Sequence, residues 1–77
     1  MKLEEQGKRE EAARLYSEIS KSMERVYGPT HEFTLGAKLN YAERLGLLGR
    51  MKKVAKIYKQ VMKARIAVYG PEHLASI

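Results

Sequence analysis

The chain lacks cysteine, aspartate and tryptophan and has only two prolines in 77 residues. Without cysteine there is no disulfide and no thiolate metal site. Its only acids are glutamates, and its only histidines are His31 and His73. No Ser–His–acid set, glycine-rich phosphate loop or spaced metal-ligand cluster can be assembled from these residues. Ser17, Ser20 and Ser22 lie on one predicted helix with no partner base. The sequence therefore predicts no enzyme, no cofactor and no metal. Apolar runs all fall short of the roughly 18–20 residues a membrane span needs. The opening "MKLEEQGKREEAARL" is charged and partly acidic, unlike a signal or transit peptide, so an intracellular, cytoplasmic location is expected.

Positive charge and apolar residues are plentiful. Net charge is +6, unevenly spread. Residues 1–35 carry six Lys/Arg and seven Glu, and residues 36–77 carry nine Lys/Arg and two Glu. With 44% apolar and 31% charged residues, the composition is that of a globular or helical-repeat chain. At this length one small domain is expected, with a marginal core of its own.

The chain repeats itself. "VYGPTH" at 26–31 returns as "VYGPEH" at 68–73, and residues 1–35 lie over 43–77 without a gap. Ten of the 35 pairs are identical, among them Gly7/Gly49, Ala13/Ala55, Tyr16/Tyr58 and Gly28/Gly70. Ala12/Val54, Leu15/Ile57 and Ile19/Val61 are conservative. Apart from Lys21/Lys63, the identical positions are apolar or turn residues, as a shared fold requires, whereas a shared catalytic site would retain polar ones.

Within each unit the apolar period is helical. Ala12, Leu15, Tyr16, Ile19, Met23 and Val26 recur every three or four residues. So do Met51, Val54, Tyr58, Val61, Met62 and Ile66, and between them Leu35, Leu39, Ala42 and Leu45. Gly28 suits the left-handed position beyond a helix end, and Pro29 cannot extend the helix behind it. Thr30 is a candidate cap, with Glu32 in the first turn of the next helix. Gly7–Lys8 and Gly49–Arg50 read as tight turns. The expectation is an all-α chain with a helix end at about 1–6, helices at about 9–27, 31–48 and 50–69, and a helix start at 72–77.

"QGKREEAARLYSEI" and "LGRMKKVAKIYKQV" resemble the second helix of a tetratricopeptide repeat, Gly-basic-x-x-x-Ala-x-x-x-Tyr-x-x-Ala. The usual unit has about 34 residues. The 42-residue period and "V-x-G-P-x-H" hinge here are similar to the longer repeats of kinesin light chains. Arg9 and Met51 replace the common aromatic, Val54 the common alanine, and Ile19 and Val61 the last one. Asn40 and Ala42 match the family's Leu-Asn-Asn-Leu-Ala stretch. The resemblance covers essentially the whole chain. It implies antiparallel helix pairs of a right-handed α-solenoid, about two repeats long, acting as a protein–protein interaction scaffold. One first helix and two second helices are complete, so the chain reads as a piece of a longer array, or as a subunit completed by a partner or by self-association into an oligomer.

The same resemblance puts a partner segment on the concave, first-helix face, at Gly36, Leu39, Asn40, Glu43 and Leu47. Asn40 matches an asparagine that bonds a peptide backbone. The carboxylate-clamp positions hold Leu39 and Glu43, which argues against an acidic chaperone tail. Small Gly36 and Gly46 favour an apolar or amphipathic segment. Leu39 and Leu47 would serve equally well by packing on a neighbouring repeat.

A basic stripe follows from spacing alone. Lys52, Lys56, Lys59 and Lys63 share one helix face, Arg50, Lys53 and Arg65 flank it, and no acid occurs from 50 to 67. It is either a solvated outer face or a site for an acidic protein. Nucleic acid and anionic membrane rank lower, because the stripe lacks aromatics for base stacking.

Overall fold

Residues 2–70 are described by the structure, a computed structural model, and every regular element among them is helical. There are three helices: α1 (Lys2–Tyr27), α2 (Glu32–Leu47) and α3 (Met51–Tyr69). The expected helix start at 72–77 lies outside the described residues. Among them no helix is long and apolar enough to cross a membrane.

Helix α1 corrects one expectation. The break at Gly7–Lys8 is absent, and the chain runs helical through it. Helical glycine costs about 1 kcal/mol relative to alanine, too little to stop a helix whose backbone hydrogen bonds would otherwise be lost. Its repeat-mate Gly49 does turn the chain, at φ 78°. There the Arg50 amide donates to the Leu45 carbonyl at 2.9 Å and the Gly49 amide to Gly46 at 3.0 Å. These two bonds form a Schellman close.

The first hinge is built differently. Gly28 has φ 95°, and its amide donates to the Glu24 carbonyl at 2.9 Å. Gly70 does the same at φ 84°, donating to Ile66 at 2.8 Å. The cap of α2 is His31 rather than Thr30. Its Nδ1 accepts from the Phe33 amide at 3.0 Å, which places the ring proton on Nε2. Thr34 is fully buried, and its hydroxyl donates to the Gly28 carbonyl at 2.7 Å.

Helix α2 lies between the other two, which do not pack on each other. Its seam with α3 is apolar: Leu35, Ala42 and Leu45 meet Val54, Ile57 and Val61, all buried, with Leu39, Tyr41 and Ala64 alongside. Full burial of such side chains contributes about 1.5–3 kcal/mol each. The α1 seam uses small and polar groups. Among the α1 residues whose side chains are described, Ala13 and Ser20 are the buried ones, and Ser20 turns its hydroxyl onto the Ser17 carbonyl at 2.8 Å. Glu24 pairs with Lys38 at 3.0 Å, and Glu10 accepts from Arg50 at 2.7 Å. Arg44 lies 5.2 Å from the centre of the Tyr16 ring.

Candidate partner-binding site

With both flanks of α2 engaged, a third side is left open. At about 100° per residue, Phe33, Gly36, Asn40, Glu43 and Leu47 fall within one narrow arc of that side. Four of the five concave-face candidates, Gly36, Asn40, Glu43 and Leu47, therefore stand together. Leu39 does not: it is half-buried against the core that α2 and α3 form within one unit.

Gly36 and Asn40 lie in a groove of about 320 Å³, shared with Phe33 and Ala37 of α2 and with Tyr16, Ile19 and Met23 of α1. Glu32 stands at its upper end. A Cβ on Gly36 would meet no atom of the described residues within 4 Å, so nothing among them requires glycine there. The helix forgoes about 1 kcal/mol for a bare strip of backbone. The strip admits an approaching chain, and the Asn40 amide can offer that chain both a donor and an acceptor.

Aromatic rings cluster at the hinge end. Phe33 meets the Tyr27 ring edge-on at 5.0 Å, and His31 lies 4.8 Å from each. Stacked there and spent as a helix cap, His31 belongs to the hinge. Phe33, Tyr16 and Met23 were not among the expected site residues. Tyr16 and Met23 belong to the periodic apolar face of the first unit, and that face was the available signal.

The basic stripe survives in part. Lys52, Lys56, Lys59 and Lys63 are exposed along one side of α3, turned away from the buried Val54, Ile57 and Val61. Lys53 is exposed too but stands roughly a quarter-turn away. Arg50 is removed from the stripe by its pairing with Glu10, and Arg65 lies 3.7 Å from Glu32. Beside the lysines runs a second strip of exposed apolar residues, Met51, Tyr58, Met62 and Ile66.

Comparison with protein-family models, with curated proteins and with solved structures finds no match to this chain.

Proposed function

We propose that this chain is a non-catalytic protein-interaction module, built as tetratricopeptide-type helix pairs, that holds a partner segment along the open face of α2. The observation that carries this reading is the groove around Gly36, where a helix-destabilising residue keeps clear a space the chain itself does not fill. A bound segment would bury Phe33 and Ile19 and bond its backbone to Asn40. Its affinity would come from a few such anchors rather than from total area.

A test is selection of displayed peptides against the wild-type protein, followed by titration of the winners against Gly36→Leu. The substitution suits helical backbone and fills the groove. Binding should weaken at least about tenfold, or 1.4 kcal/mol. Winners that bind the variant undiminished would show that the groove is not the site.

Two further readings have their own support. Exposed apolar residues on α1 and α3 favour a subunit completed by self-association or within a larger assembly. Separately, α3 carries no acid beside its exposed lysines, which favours docking to an acidic protein surface ahead of nucleic acid or an anionic membrane. In that case Lys56→Glu with Lys59→Glu abolishes binding, and binding falls steeply with salt.

A further inference from the structure

The open face of α2 runs against the charge of the chain. Net charge is +6, yet Glu32 is the only charged residue that lines the groove around Gly36. Further along the same side stands Glu43, and no Lys or Arg falls within that arc. The two cations of α2 are drawn toward α1: Lys38 onto Glu24 at 3.0 Å, and Arg44 toward the Tyr16 ring. Glu32 is partly answered by α3, through Arg65 at 3.7 Å and the Tyr69 hydroxyl at 3.4 Å. Glu43 is exposed, and no described residue pairs with it. The Asn40 amide is exposed too, and no described residue bonds it.

We infer that the segment held on this face is extended and apolar–basic: an apolar residue over Gly36, a lysine or arginine against Glu43 and a second apolar residue against Leu47. This rests on the interaction-module reading and names the partner's chemistry. Spacing along α2 sets the motif. Gly36 and Glu43 lie about 10.5 Å apart along the helix, and Gly36 and Leu47 about 16.5 Å. An extended chain rises about 3.3 Å per residue, so the basic residue stands about three positions from the first apolar one and the second apolar one about five. An extended backbone has amides and carbonyls to offer Asn40, whereas a helix has already bonded its own. Phe33 and Leu47 are 57% and 51% exposed, so both have apolar surface to give. The stem of a lysine or arginine covers such surface while its head reaches the carboxylate. The exposed lysines of α3 repel the same segment and so confine it to α2. Charge thus sorts two kinds of partner between two faces of one chain.

The test is a selection of random displayed peptides on the full chain at low salt. Winners that Gly36→Leu weakens are those seated on the groove. They should carry Lys or Arg between apolar residues at this spacing, even though the net charge of the chain draws acidic peptides. For a synthetic groove winner, Glu43→Gln should weaken binding about twofold and Glu43→Lys at least fivefold, at unchanged helix content, as befits an exposed ion pair. Exchanging the peptide's basic residue for Glu should restore binding to Glu43→Lys and abolish it on the wild type. The Glu43→Lys loss should shrink in molar salt. Groove winners that lack a basic residue, or that bind Glu43→Lys undiminished, overturn the basic segment and leave the groove standing. An absence of winners sensitive to Gly36→Leu overturns the groove and the segment together.

Discussion

Helices α1 and α3 are two editions of one sequence, yet they meet α2 by different means. Helix α3 presents its branched aliphatic stripe and builds a dry core. Helix α1 turns that stripe largely outward and approaches α2 with Ala13, Ser20 and Glu24, while Glu10 reaches Arg50 beyond the end of α2. The lesson is that an apolar helical period marks a face fit for burial and leaves open which neighbour buries it. A helix of this kind carries more than one face fit for packing. Each edition here meets α2 with a different one.

The largest way to break the comparison is to truncate the paired residues. Ile57→Ala should cost about 2–4 kcal/mol, enough to unfold much of so small a domain. Leu15→Ala at the matching position should stay within about 0.5 kcal/mol. Urea titrations followed by circular dichroism separate the two, and similar losses would mean that both stripes are packed in solution. Next come the small residues. Ala13→Leu should overpack the α1–α2 seam, costing about 1–3 kcal/mol, whereas Ala55→Leu on the exposed side of α3 should be nearly neutral. The paired glycines should respond with opposite signs. Gly49→Ala strains a positive-φ residue and should destabilise by about 1 kcal/mol, whereas Gly7→Ala in open helix should stabilise by about 0.5–1 kcal/mol. A melting-temperature rise for both would refute the left-handed turn at Gly49. The smallest effect belongs to Glu24→Gln, at about 0.5 kcal/mol because the Glu24–Lys38 pair is partly exposed. That difference should vanish in molar salt.

Much of this architecture was legible in the residues. The repeat register located Gly28, Gly49 and Gly70, and all three have positive φ. The period of Leu35, Ala42 and Leu45 marked the buried side of α2. Gly7 misled because its sequence context matches that of Gly49, while its conformation depends on whether neighbouring structure bends the chain there. Thr30 is the better cap by residue preference, but the hinge geometry presents the His31 imidazole to the Phe33 amide instead. Of the residues expected on the concave face, Gly36, Asn40, Glu43 and Leu47 share the open side of α2, whereas Leu39 lies against the core. The α1 wall of the groove could not be read from the residues, because it depends on how two helices lie across each other.

The Thr34 hydroxyl bonded to the Gly28 carbonyl has a mechanical consequence. It braces an elbow from which α1 extends as a lever of 26 residues, about 39 Å long. Tilting that lever by about 10° would carry its far end through roughly 7 Å, given the rise per residue of a helix. Thr34→Val keeps the shape and removes the brace, so the spread of distances between spin labels on Arg9 and Lys63 should widen. A single buried oxygen thus joins the Ala13 packing and the Glu24–Lys38 pair in steadying the groove wall on α1 against α2.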